Sequence, residues 1–263
     1  MNLAQFVPHQ RIALLLHPPN FVNVPHHDDM LPRTISYPRF QRASDHSLLV
    51  SFGDQISREH HNRVACLLAL LRAEPDPATL NLHPAYASLL VSFNPLITHP
   101  LKFEEYVHSL VGQLDSVKLP PNRAVEVPVC YDAEFAPDLK FVAEHTGFDP
   151  DEVIRRHCSP EYLVYFIGFA PGFAYLGDLP PELSTPRLST PRLGVPAGSV
   201  ALGGRQTGLY SIASPGGWRI IGRTPRKLFV PGGNEPFLLQ LGDSVRFRQI
   251  SKTEFDALVG LHG

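Results

Sequence analysis

Ser47-Leu-Leu-Val-Ser-Phe52 recurs without change as Ser88-Leu-Leu-Val-Ser-Phe93. Both copies are rich in β-forming residues, and each follows another short extended segment, near Ile35–Phe40 and Thr79–Pro84. Each also leads into a helical pattern. In the first helix Val64, Leu67, Leu68 and Leu71 share one face behind the candidate N-cap Ser57. In the second, Phe103, Tyr106, Val107, Leu110, Val111 and Leu114 form an i, i+3, i+4, i+7 stripe. Agreement in the flanking elements makes this a duplicated unit, ββα twice, which predicts a two-layer sandwich with pseudo-twofold symmetry over residues 34–118.

Leu119-Pro-Pro-Asn122 reads as a linker, and a second domain follows over residues 123–258. Ala124–Val129 reads as a strand. Asp149-Pro-Asp-Glu152 is a helix start with Asp149 as N-cap and Pro150 at the first helical position. That helix carries Val153 and Ile154 and ends near Arg155, Arg156 and His157, cations well placed for the C-terminal dipole. Strands then dominate: Tyr162–Phe166, Ser199–Leu202, Leu209–Ile212, Trp218–Gly222, Phe237–Leu241 and a last one carrying Val245 and Phe247. Many short strands with turn signals between them predict a closed antiparallel barrel. Residues 1–33 carry prolines and His26-His27-Asp28-Asp29 without sustained periodicity, which predicts a disordered extension in preference to a metal site.

Charge is distributed unevenly. The 263 residues hold 23 Lys and Arg against 25 Asp and Glu, a net charge of −2 that argues against a nucleic-acid binder. Yet Leu183–Asn234 contains Arg187, Arg192, Arg205, Arg219, Arg223, Arg226 and Lys227 and not one acid. A one-sign segment in a nearly neutral chain points to an anionic ligand. The three cysteines, Cys66, Cys130 and Cys158, fit no zinc spacing and no disulfide framework. No apolar run approaches the ~20 residues of a membrane span, and no signal peptide is recognisable. The expectation is a cytoplasmic protein that acts on a small molecule, with no membrane and no nucleic acid as partner.

The same region carries the candidate site residues. Phosphate-loop, dinucleotide, zinc-protease and nucleophile-elbow motifs are all absent. Ser184-Thr-Pro-Arg-Leu-Ser-Thr-Pro-Arg192 holds two guanidiniums five residues apart on a proline-stiffened segment, a candidate clamp for a carboxylate or phosphoryl group. Ser214-Pro-Gly-Gly-Trp218 sets bare glycine backbone beside the only tryptophan. It reads first as a tight turn and second as an anion-binding nest. The candidate substrate- and anion-binding set is Arg187, Arg192, Ser199, Gln206, Ser214, Gly216, Gly217 and Arg223. His157 is the candidate general acid or base, although a helix-end partner is the commoner role for such a residue.

Several segments carry a resemblance: Val129-Cys-Tyr-Asp132, Phe135-Ala-Pro-Asp-Leu139, Gly168-Phe-Ala-Pro-Gly-Phe-Ala-Tyr-Leu176, Val195-Pro-Ala-Gly-Ser-Val200, and Ser214-Pro-Gly-Gly-Trp218 through Gly222-Arg-Thr-Pro225. From about Thr34 to Leu258 the chain resembles the family that comprises the B subunit of 5-oxoprolinase, the allophanate hydrolase subunit 1 domain and the sporulation kinase inhibitor of Bacillus. The resemblance implies an α+β protein, with an N-terminal DCoH-like ββαββα domain followed by a C-terminal cyclophilin-like antiparallel β-barrel. It also implies a hydrolase subunit that opens 5-oxo-L-proline to L-glutamate with ATP, accompanied by Mg2+, in a hetero-oligomer with 5-oxoprolinase subunits A and C. Inhibition of a sensor histidine kinase and an accessory role in urea carboxylation or allophanate metabolism are the alternatives within the family.

Overall fold

The structure is a computed structural model that describes residues 36–233 and 235–261. The expectation for residues 1–33 lies outside the described residues. Ser47–Ser51 (β2) and Ser88–Phe93 (β4), the two copies of the repeated hexapeptide, lie side by side at the centre of one sheet. Their antiparallel register pairs Ser47 with Ser92, Leu49 with Leu90 and Ser51 with Ser88, so the copies are exchanged by a local twofold. Arg39–Ser44 (β1) and Thr79–Pro84 (β3) complete the order β1-β2-β4-β3. Strand alternation sends Leu48, Val50, Leu89 and Val91 to one face, all buried.

That face is covered by Arg58–Ala73 (α1) and Pro100–Val111 (α2). The Ser57 hydroxyl accepts the His60 N–H at 3.1 Å, as the sequence predicts for the α1 start. Val64, Leu67, Leu68 and Leu71 of α1 and Phe103, Val107 and Leu110 of α2 are buried against the sheet. Leu114 joins them from a 3-10 turn beyond α2.

After the Pro-Pro linker, Ala124–Cys130 (β5) opens a closed barrel. Leu139–Thr146 (α3) and Pro150–Cys158 (α4) follow, the second capped by the Asp149 carboxylate, which accepts the Glu152 N–H at 2.7 Å. Next come Tyr162–Ile167 (β6), Ala174–Leu176 (β7), Arg192–Val195 (β8), Ser199–Gly203 (β9), Gln206–Leu209 (β10), Ser214–Gly216 (β11), Arg219–Arg223 (β12) and Ser244–Ile250 (β13). Lys252–Leu261 (α5) ends the described chain. The barrel runs β10-β7-β6-β13-β5-β12-β9, and β8 and β11 form a separate antiparallel pair.

Four expectations need correction. The barrel is not wholly antiparallel: β5 and β13 pair in parallel over their whole length, from Ala124 with Ser244 to Cys130 with Ile250. Phe237–Leu241 forms no strand and contributes one isolated bridge, Phe229 to Phe237, and the strand expected over Leu209–Ile212 instead runs Gln206–Leu209 and ends where that expectation begins. The α3 helix lies outside the sequence expectations; with eight residues and only Leu139, Val142 and Ala143 buried, it offers little periodicity to read.

Candidate functional site

Along β9 the side chains alternate. Val200 and Leu202 point into the barrel core, while Ala201 joins Phe173, Val195, Tyr210, Trp218 and Ile220 in a smaller cluster outside it. This outer cluster floors a cavity of about 420 Å3, walled on its other side by Arg187, Leu188, Pro191 and Pro215–Gly217 next to the β8–β11 pair. Phe169 stands at the site with 64% of its surface exposed and φ at 66°, a left-handed backbone that a bulky residue adopts only under constraint. The Ser211 hydroxyl holds this loop by donating to the Pro171 carbonyl at 2.6 Å.

Aromatic rings crowd the floor: Phe173 meets Tyr210 and Trp218 edge to face at centroid distances of 4.9 and 5.8 Å. The glycines make room for them. A Cβ on Gly203 would lie 2.5 Å from the Trp218 indole, and one on Gly216 would lie 2.2 Å from the Tyr210 hydroxyl. Burial pushes the Tyr175 and Tyr210 hydroxyls above the ordinary phenol range, opposed in both by the nearby Arg187 cation. Both remain neutral O–H groups near pH 7. Arg187 places its guanidinium carbon 5.4 Å from the Trp218 ring centre, a cation–π contact. An apolar, aromatic cavity with one arginine and two neutral hydroxyls suits a small planar ligand that carries a negative group.

The expected site residues do not all meet there. Arg187, Gly216 and Gly217 line the cavity. Ser214 begins β11 beside it, with its buried hydroxyl unpartnered among the described residues. Gln206 lies at the start of β10, next to the Tyr86 hydroxyl that reaches over from the repeat region. Ser199 is buried in β9 opposite Arg223. Arg192 does not join Arg187 in a clamp: its Nη2 donates to the Asp138 carboxylate at 2.8 Å. The chain bends at Ser189 and Thr190 before β8 begins at Arg192, so the two arginines do not share one extended segment. Asp138 also accepts the Ile220 N–H at 2.7 Å and lies 3.8 Å from Arg219. The acid that compensates two of the seven cations therefore comes from a preceding loop, and Asp138 is the residue that sequence reasoning missed. Arg219 further lies over the Phe141 ring of α3 at 3.6 Å.

His157 is enclosed in the barrel core. Thr207 donates its hydroxyl proton to the Ala201 carbonyl at 3.1 Å, so it accepts from His157 Nε2 at 3.0 Å. That fixes Nδ1 as the acceptor for the Tyr131 hydroxyl at 2.9 Å. Tyr162 donates to the His157 carbonyl at 2.8 Å, and Phe247 stacks on the imidazole at 4.5 Å. Burial lowers its pKa to about 3. A fully bonded neutral ring without solvent access is a packing element, and the cavity described above does not include it.

Residues 38–239 match the family model for the carboxyltransferase domain, subdomain C and D. The chain belongs to that family. It is 37% identical to the B subunit of 5-oxoprolinase from Bacillus subtilis strain 168 over 241 residues, covering 85% of this chain and 97% of that one. It is also 55% identical to the B subunit of 5-oxoprolinase from Escherichia coli O157:H7 over 128 residues, 49% of this chain and 59% of that one. Among solved structures, the crystal structure of TTHA0988 superposes with a TM-score of 0.69 at 35% identity over 78% of this chain. The match takes up 40% of that longer polypeptide. No helix among the described residues is long and apolar enough to cross a membrane.

Proposed function

We propose that this chain is the B subunit of a 5-oxoprolinase, which opens the lactam of 5-oxo-L-proline to L-glutamate in a complex with subunits A and C. The observation that carries the reading is the 37% identity over 97% of a relative bearing that name. The cavity supports it. A five-membered lactam is small and nearly flat, its ring methylenes can lie on the aromatic floor, and its carboxylate suits the Arg187 fork. Tyr175 and Tyr210 keep protons to donate to an oxygen on the ring, and the Gly216-Gly217 backbone lets a ligand approach closely.

ATP, bound with Mg2+ in the assembled enzyme, would transfer its terminal phosphoryl group to the lactam oxygen with release of ADP, so that water can attack the ring carbonyl carbon, the C–N bond opens and phosphate leaves as L-glutamate forms. Arg223, Arg226 and Lys227, which form no ion pair among the described residues, fit the phosphates. Mg2+ in this reading would be held chiefly by the phosphate oxygens of the nucleotide. The contribution of this chain is positioning and electrostatics.

Co-expression with subunits A and C, followed by an assay of glutamate release from 5-oxoproline, tests the reading. Turnover is expected only with all subunits and ATP present. Arg187→Lys keeps the charge but loses the planar fork, and is expected to lower kcat/KM about tenfold to hundredfold, the equivalent of a charge-assisted contact of roughly 1.5–3 kcal/mol. An assembled complex that releases no glutamate would overturn the assignment, and so would full turnover by this chain alone.

A further inference from the structure

The aromatic cavity has a neighbour of opposite chemistry. Behind the wall formed by residues 210–211 and 171–173 lies a second cavity of about 470 Å3, lined by Arg223, Arg226 and Lys227 and by no Asp or Glu. Tyr210 faces the first cavity and Ser211 the second. A Cβ on Gly172 would lie 3.2 Å from Ser211 Cβ and 3.0 Å from Phe229 Cβ, so the loop that carries Gly172 packs directly on residues lining the second cavity.

We propose that this second cavity is a binding site for a phosphate dianion. Of the seven cations between residues 183 and 234, Arg192 and Arg219 are compensated by Asp138, Arg187 stacks on Trp218, and Arg205 is exposed on the β9–β10 turn away from this cavity. Arg223, Arg226 and Lys227 form no ion pair among the described residues, yet the fold gathers them around one concavity. Three like charges side by side repel each other, and a bound dianion relieves that repulsion.

The backbone is built to hold them. Arg223 is steadied through Nε, which donates to the Ala197 carbonyl at 2.9 Å and leaves its two terminal nitrogens to form a fork. Gly198 at φ 82° closes the turn beneath it, and a Cβ there would lie 2.5 Å from the Thr224 carbonyl oxygen. The Arg226 N–H is held by the Thr224 hydroxyl at 3.2 Å, which orients the loop bearing both remaining cations. Phe255 and Val259 of α5 supply an apolar side to the cavity, which strengthens the attraction by lowering the local dielectric. Orthophosphate and the terminal phosphate of a nucleoside triphosphate present the same chemistry. The inference extends the proposed use of ATP to a specific pocket, and its test reads binding, so it can fail while the assignment of turnover stands.

The test is a calorimetric titration of the full chain with inorganic phosphate at moderate chloride concentration, with 31P line broadening as a second readout. Saturable binding is expected, weakened at least tenfold in Arg226→Gln/Lys227→Gln and unchanged in Arg187→Lys. ATP displacing the bound phosphate assigns the site to a nucleotide tail, and failure to displace it assigns the site to free orthophosphate. Absence of saturable binding overturns the proposal. So does equal affinity in the double variant, or equal loss in Arg187→Lys. Lys227 is exposed, so Lys227→Gln alone serves should the double variant fail to fold.

Discussion

The repeat region and the barrel bury their polar groups in different ways, and one histidine in each makes the contrast concrete. The core between the four-stranded sheet and its two helices is aliphatic and aromatic, assembled by periodicity. His61 on α1 is buried at its edge with neither ring nitrogen partnered among the described residues, its ring edge-on to Tyr165 of the barrel at 4.9 Å. The barrel encloses His157 with both nitrogens bonded, one to Tyr131 and one to Thr207. It also encloses Asp138 with both oxygens bonded, one to Arg192 and one to the Ile220 amide. A region that repeats a simple pattern needs few specific polar ties. The barrel is fastened by long-range ones, and this leaves its surface loops free to carry glycines, prolines and aromatics around two cavities.

Acid is the harshest test of that contrast. Burial holds His61 near pKa 4 and His157 near 3, against 6.5 for an ordinary histidine. Above about pH 6.5 both residues are neutral whether the chain is folded or unfolded, and this contribution to stability is fully present. As the pH falls below 6.5 the unfolded chain takes up protons that the folded chain refuses, so stability declines. The decline continues until pH approaches the folded values near 4 and 3. At about 1.36 kcal/mol per pH unit and per group, the loss between pH 7 and pH 5 comes to about 2 kcal/mol for each histidine. Urea unfolding at the two pH values measures it. A midpoint that does not move would mean that both rings take up protons in the folded protein, and a loss of only about 2 kcal/mol would mean that one does.

The Asp138 tie is the next largest effect. Asp138→Asn keeps the shape but offers one acceptor and one amide donor where Arg192 and the Ile220 N–H both donate. The loss is about 1–3 kcal/mol, a fall of several degrees in the thermal midpoint for a chain of this size. Arg192→Gln in the same background should add little, because the charge pair is already broken. If the two substitutions add fully, Asp138 and Arg192 act independently and the barrel is not fastened as described.

These effects also mark what the sequence could disclose. The duplicated hexapeptide, the Ser57 and Asp149 caps and the apolar stripes of the first two helices were legible, because their partners lie within a few residues. The pocket glycines Gly216 and Gly217 and the cation Arg187 could be picked out by composition. The roles of Arg192 and His157 could not. Asp138 lies 54 residues from Arg192 and 82 from Ile220, and His157 lies 50 from Thr207. No local pattern announces such contacts. The parallel pairing of β5 with β13 was hidden for the same reason, since it joins the first and last strands of the barrel.

The smallest effect isolates the orphan histidine. In His61→Phe an apolar ring of similar shape replaces a buried one whose two nitrogens have no partner among the described residues. The edge contact with Tyr165 can survive, because it needs a ring and not a nitrogen. Removing an unsatisfied buried polar group recovers part of its desolvation cost, so the variant should match the parent at pH 7 or exceed it by about 1 kcal/mol. It should also lose only about 2 kcal/mol between pH 7 and pH 5 where the parent loses about 4, since His157 alone then resists protonation. The same urea titrations read both quantities. A variant destabilised by more than about 1 kcal/mol at pH 7 would show that an imidazole nitrogen is bonded after all. The repeat region would then depend on a polar tie as the barrel does.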